Sequence, residues 1–339
     1  MFYLSNYRTL LKITNQVYNN RMSNQRIHSP SAKTFDLAAT ILKEGDIISF
    51  PTETVYGLGA DATNSSAIAK IYSAKERPSF NPLIVHILSA EKASQYVIMN
   101  ELTKKLADAF WPGPFTMVLP LKEGSGISDL ITAGLDTVAI RVPKNEIAHQ
   151  LLELFSGAVA APSANKSGQI SPTTAAHVDG EFGDELSFII DGGACEKGIE
   201  STIVQVTNKD VILLRPGNIT ISDIEKVIGC SVLINNADGT KPTSPGQLTS
   251  HYAPNSKMRL NATKVYEDEC YLTFGNIEGD LNLSPAGNLN EAAANLFSMM
   301  RALDQMNKTT IAVAPIPFTG LGLAINDRLQ RAAAPKDSS

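Results

Sequence analysis

The chain of 339 residues is 43% hydrophobic and 19% charged, enough apolar material for one large core or two ordinary domains. Its net charge of -5 argues against tight nonspecific binding to nucleic acid, which normally shows a basic surplus. No run reaches the roughly 18–20 apolar residues that span a bilayer, and Cys195, Cys230 and Cys270 lie far apart without C-x-x-C spacing, which predicts neither disulfides nor a zinc site and fits a reducing, cytoplasmic setting.

Residues 1–30 carry Arg8, Lys12, Arg21 and Arg26 without a single Asp or Glu. That composition fits a targeting presequence, a disordered tail, or a stretch upstream of a start at Met22, and residues 1–32 are set apart as an extension. From Lys33 the pattern is mixed α/β. Strands are predicted over 47–50, 82–87, 116–119, 137–142, 158–161, 188–191, 202–206 and 211–214, and helices over 33–43, 65–76, 101–110, 146–155 and 221–228. The strands are too many and the connections too short for a pure βαβ series, so a twisted, mixed sheet with packed helices is expected. This first domain is placed at 33–230. Residues 231–257, rich in Asn, Gly, Ser, Thr and Pro, read as a linker. A smaller α/β domain at 258–339 follows, with strands near 269–274 and 310–314, a helix over 291–306 and a last helix from about Ile325.

Several segments could carry chemistry. Pro51 to Gly59 follows a strand as a hydroxyl-rich turn with two glycines, suited to close ligand approach or to an ordinary connection. On the next helix Lys75 continues the apolar stripe of Ile68 and Ile71, so its ammonium points toward protein or cleft. Pro78 breaks the helix behind Arg77, and Lys75, Arg77, Asn81 and His86 near one turn suit a polyphosphate or a solvated helix end. Thr137 and Arg141 share one face of a strand. An arginine on so apolar a strand needs an anionic partner, an internal carboxylate or a ligand. The small-residue loop Ala160 to Gly168, the polar tip Gly198 to Thr202 and Leu214-Arg215-Pro216-Gly217 add candidate binding edges. The Walker, Rossmann, kinase, H-E-x-x-H and G-x-S-x-G signatures are absent.

Taken in order, Pro51 to Gly59, Lys75-Glu76-Arg77-Pro78 with Asn81-Pro82-Leu83, the Trp111 turn, Ala139 to Pro143, Pro162 to Asn165 and Leu214 to Gly217 resemble the YrdC-type domain of the threonylcarbamoyl-AMP synthases. Ser244-Pro245-Gly246, His251-Tyr252-Ala253-Pro254 and Gly320 to Arg328 resemble the long, two-domain members, whose smaller domain is Rossmann-like. The resemblance implies condensation of L-threonine, bicarbonate and ATP to threonylcarbamoyl-AMP and pyrophosphate. The product would feed threonylcarbamoyl-adenosine formation on ANN-decoding tRNAs through a downstream transferase complex, with tRNA bound weakly or indirectly. It assigns Thr54, His86, Arg141, Ala161 and Ser201 to threonine, and Arg77, Asn81, Thr137, Ser163, Ser171 and Arg215 to ATP. Lys75 would stand beside the phosphates, so that Lys75 and Arg77 are the catalytic pair, with Mg2+ carried by the triphosphate. Ser244, His251 and Tyr252 belong to a linker expected to close over the cleft. The competing readings are a carbamoyltransferase, although the acylphosphatase and zinc segments of those longer enzymes are missing, and a non-catalytic RNA-binding module.

Overall fold

Helices begin where the sequence supplies a side-chain acceptor for the first free N–H groups. Asn64 accepts from the backbone of Ser66 and Ala67 and starts α2 (Ser65–Lys75); Ser31 does the same for α1 (Ala32–Lys43). Such a cap contributes about 1 kcal/mol. Helix α2 buries Ala67, Ile68, Ile71 and Lys75 on one stripe, as its spacing predicts, each buried aliphatic side chain stabilising by roughly 1.5–3 kcal/mol. It ends at Glu76 in the left-handed region (φ 51°), ahead of Arg77-Pro78.

The computed structural model describes residues 25–234 and 250–335; Met22 and Ser244 lie outside them. In the larger domain the strands are β1 (Ile27–His28), β2 (Ile48–Pro51), β3 (Tyr56–Asp61), β4 (Ile84–His86), β5 (Phe115–Pro120), β6 (Thr137–Arg141), β7 (Val159–Ala160), β8 (Ile189–Ile190), β9 (Thr202–Val206), β10 (Val211–Arg215) and β11 (Leu233–Ile234). They form one sheet in the order β1-β8-β2-β3-β7-β4-β6-β5-β9-β10-β11. It is mixed: β2 and β3 are antiparallel, β4 and β6 parallel, and β5 lies antiparallel to β6 but parallel to β9. Alternation sends Tyr56, Leu58 and Ala60 into one core, and Val159 and Ala161 into another on the opposite face together with α1 and the helix Glu146–Phe155.

Two differences from the sequence reading matter. Residues 56–61 are a strand, not a turn: the two glycines sit where side chains would collide, a Cβ at Gly59 lying 2.7 Å from the Phe50 ring. Residues 27 and 28, inside the segment read as an extension, form edge strand β1 against β8, with Arg26 paired to Asp179 at 2.6 Å and Asp184 at 2.5 Å. A helix at Ala175–Phe182 also went unforeseen.

The smaller domain is a parallel sheet of β12 (Lys257–Arg259), β13 (Glu269–Thr273), β14 (Leu281–Asn282) and β15 (Thr310–Val313), ordered β12-β15-β13-β14. Helices Leu289–Asp304 and Gly322–Ala333 pack on it. Its core does not stop at its own sequence, since Val55, Ile170 and Ile199 of the larger domain and Tyr252 belong to the same apolar cluster.

Candidate active site

Parallel pairing of β4 with β6 puts His86 opposite Arg141, and the loops after β2, β7 and β10 and before β9 bring the remaining walls together. One cleft is lined by Thr54, Arg77, His86, Arg141, Ala161, Ser163, Ser201, Arg215, His251 and Tyr252, with Thr52, Tyr56, Pro162 and Glu200 among their neighbours on its wall. It encloses a cavity of about 40 Å³, far below the 300–1,000 Å³ typical of small-molecule sites. Ten of the residues that the sequence singles out therefore converge.

Arg141 is held on three sides. Its Nε donates to Gly113 O (3.2 Å), which explains what the Trp111 turn does, and Nη1 donates to Thr54 Oγ1 (3.0 Å). Nη2 lies 2.7 Å from Glu53 Oε1. That contact is a close ion pair without hydrogen-bond alignment, since both Glu53 oxygens and Nη2 lack an aligned partner. Of the two partners the sequence left open, the internal carboxylate is thus present. Burial, reinforced by Arg141, lowers the His86 pKa to about 3, so His86 is a neutral imidazole at ordinary pH. Its Nδ1, His251 Nδ1 and the Tyr252 hydroxyl, all on the cleft wall, are buried without a hydrogen-bond partner in the protein. Orphans of this kind are rare in ordinary cores, and their gathering here marks a surface made for a polar ligand.

Arg77 donates from Nε to Asn81 O (3.2 Å) and from Nη2 to Pro82 O (2.9 Å), and burial brings its pKa down to about 10. Arg215 donates to Ser201 O at 3.0 and 3.2 Å. Three guanidiniums against one lining carboxylate, Glu200, make the cleft cationic and suited to phosphate and carboxylate groups.

The structure does not bring every candidate to the wall. Lys75 is buried behind it, its Nζ donating to Ser163 O at 2.6 Å and to Asn165 O, so it braces the Pro162–Asn165 loop from below. Burial, then the charge of Arg77, lowers its pKa well below the usual lysine value. Asn81 is fully buried beside Arg77. Thr137 stands at the far end of β6, paired with Pro120 and four residues from Arg141. Ser171 Oγ donates to Glu200 Oε1 at 2.5 Å. Glu53 and Glu200 are residues to which sequence reasoning gave no role. In the sequence each is marked only by standing next to an assigned residue, Thr54 or Ser201; that each is buried against an arginine is a fact of the fold.

The end of the linker roofs the cleft. His251 N donates to Arg331 O (3.2 Å) and Ala253 N to Gly168 O (2.8 Å), while the Tyr252 ring stacks on Phe297 at 5.3 Å with φ 62° at its Cα.

A mixed-sheet α/β domain with a cationic cleft, roofed by a linker and backed by a second α/β domain, defines a class of enzyme that handles anionic small molecules. Residues 40–217 match the Sua5/YciO/YrdC family model, described as "Telomere recombination", and residues 219–334 match the C-terminal domain of threonylcarbamoyl-AMP synthase. The threonylcarbamoyl-AMP synthase of Pyrococcus abyssi is 39% identical over 322 residues, covering 88% of this chain and 93% of that one; that of Bacillus subtilis is 38% identical, covering 87% and 92%. The crystal structure of P. abyssi Sua5 complexed with L-threonine superposes with a TM-score of 0.83 at 37% identity, covering 91% of this chain and 97% of that chain. The chain belongs to the threonylcarbamoyl-AMP synthase family.

Proposed function

We propose that this enzyme condenses L-threonine, bicarbonate and ATP into threonylcarbamoyl-AMP and pyrophosphate. The observation that carries the reading is the convergence of Arg77, Arg141 and Arg215 in one cleft under His251 and Tyr252, in a chain of this family. Arg141, fixed by Gly113, Thr54 and Glu53, offers its guanidinium to the carboxylate of threonine, with Thr54, His86, Ala161 and Ser201 around the amino acid. Arg77, Ser163 and Arg215 face the nucleotide. Asn81 and Ser171 support that half through Arg77 and Glu200, and Lys75 supports it through the loop it braces.

The threonine amine adds to carbon dioxide from bicarbonate to give a carbamate. A carbamate oxygen then attacks the α-phosphorus, the bond to the bridging oxygen breaks, and pyrophosphate leaves. Neutral His86 neither competes with Arg141 for the carboxylate nor repels the amine. The residues bind, align and neutralise charge, which is most of what phosphoryl-type transfer asks of a protein. Among the described residues no three His, Cys, Asp or Glu side chains converge on a metal-sized site, so a magnesium ion would be held by triphosphate oxygens and water. Bound there, it would offset phosphate charge.

Because so small a cavity admits no nucleotide, the His251–Tyr252 roof is read as a lid that opens for substrates and closes over the carbamate and the mixed anhydride, both of which water destroys. Limited proteolysis of the linker is expected to slow when ATP and threonine are added; unchanged cleavage would count against a lid. The product would pass to a transferase complex that modifies tRNA, in the cytoplasm; among the described residues no helix is long and apolar enough to cross a membrane. The test of the reaction is incubation with ATP, Mg2+, L-threonine and labelled bicarbonate, each omitted in turn. Labelled adenylate and pyrophosphate that require all three substrates are expected, and ATP binding without product would sink the reading.

A further inference from the structure

The smaller domain supports the wall of the cleft from behind through Arg328. Arg328, on the helix Gly322–Ala333, is fully buried. Its Nε donates to Glu200 Oε2 (3.0 Å), its Nη1 to Pro216 O (2.8 Å) and to Asp327 Oδ2 (2.7 Å), and its guanidinium lies 5.5 Å from the centre of the Tyr252 ring. A single fork thus ties together Glu200 from the loop before β9, Pro216 from the loop after β10, and Tyr252 from the roof. The backbone is shaped for this approach. A Cβ on Gly198 (φ 70°) would stand 2.4 Å from Ala294 O of the smaller domain, and one on Gly217 would stand 2.3 Å from Thr202 N.

Glu200 is the link to the nucleotide. It lines the cleft with Arg215, and its other oxygen takes the Ser171 hydroxyl. Burial pushes its carboxyl up, but Arg328, Arg215 and the Ser171 hydrogen bond outweigh that and hold it below the usual carboxylate range. Without Arg328, the other arginine whose charge acts on Glu200 is Arg215, which the nucleotide needs.

We propose that Arg328 is a positioning residue for the ATP half of the cleft: it neutralises Glu200 from the smaller domain and so leaves Arg215 to face the phosphates. The inference rests on the synthase reading for the identity of the nucleotide. It makes the second domain part of the active site instead of an appendage.

The experiment compares full-length Arg328→Gln, Arg328→Lys, Glu200→Gln and the Arg328→Gln/Glu200→Gln double variant, with ATP and threonine affinities measured by calorimetry beside the rate of pyrophosphate release. Arg328→Gln is expected to weaken ATP binding and raise its KM by about tenfold or more, because it strands a buried carboxylate, while threonine affinity stays within about twofold. Arg328→Lys, which keeps the charge and loses the fork, should fall between the parent and Arg328→Gln. The double variant should bind ATP better than Arg328→Gln alone, since the stranded charge is gone. Unchanged ATP affinity in Arg328→Gln, equal loss of both ligands, or additive losses in the double variant would overturn the proposal. Should Arg328→Gln fail to fold, Arg328→Lys decides: parent-like ATP affinity overturns it, and selective loss of ATP supports it. A parent that binds ATP yet makes no adenylate removes the synthase reading and leaves this comparison standing; one that binds no ATP overturns both.

Discussion

Arg141 and Glu53 face each other as a buried ion pair, with Nη2 2.7 Å from Oε1 and each side chain 4% exposed. Neither charge has water to fall back on, so each depends on the other and on whatever occupies the cleft.

Arg141→Ala is expected to destabilise the fold by roughly 3–5 kcal/mol, because it leaves Glu53 charged and alone, and to abolish threonine binding in what remains folded. Glu53→Gln should cost less threonine affinity, since the guanidinium keeps its bonds to Gly113 and Thr54. Urea titration combined with threonine calorimetry checks both; equal loss of threonine in the two variants would contradict the division.

Arg77→Ala is expected to act on the other ligand. It removes a cation from the wall and frees the carbonyls of Asn81 and Pro82, so ATP affinity should fall about 10- to 100-fold, the worth of a charged hydrogen bond or two. Threonine affinity should change little. Fluorescent ATP-analogue binding gives the readout, and a larger effect on threonine than on ATP would reverse the assignment.

His86 supplies a pH signature. Its pKa is about 3 in the fold against about 6.5 in an unfolded chain, so between those values the unfolded state binds the extra proton. Its contribution to stability is complete above pH 6.5 and is lost as the pH falls, at up to about 1.4 kcal/mol per unit. His177, brought down to about 4 by burial and Arg301, adds a slope of the same sign. Urea midpoints from pH 6.5 to 5 should therefore fall more steeply for the parent than for His86→Gln; parallel slopes would show that His86 is charged in the fold.

Two glycines should respond oppositely to alanine. Gly198→Ala forces a Cβ onto Ala294 O and into a left-handed backbone, which should cost more than about 1 kcal/mol and loosen the contact between the domains. Gly180, inside the helix Ala175–Phe182 with nothing within 4 Å of where a Cβ would stand, should gain about 0.5–1 kcal/mol. Thermal melts of the two single variants measure the contrast.

The elements most legible in the sequence were those whose periodicity and caps agree. The helices Glu101–Phe110 and Glu146–Phe155 start after Asn100 and Asn145 and run on the predicted residues. Strand β3 was illegible because its glycines serve packing against Phe50 and Ala161, a reason that lies on neighbouring strands. The helix Ala175–Phe182 hid behind short, small side chains and Gly180. At the site, the cleft-facing residues were legible as an ordered set of motifs, whereas Glu53, Glu200 and Arg328 were not: a buried charge is recognised by its counter-ion, and these partners are separated by up to 128 positions.

That separation bears on synthesis. Domains fold as the chain emerges, amino-terminal parts first, yet Glu200 waits for a partner on the last described helix, Gly322–Ala333. Until that helix has left the ribosome, the cleft holds a carboxylate with no counter-ion from the smaller domain. A chain truncated anywhere upstream of Arg328 stays in that state, so the nucleotide site is assembled only once the smaller domain has folded onto it.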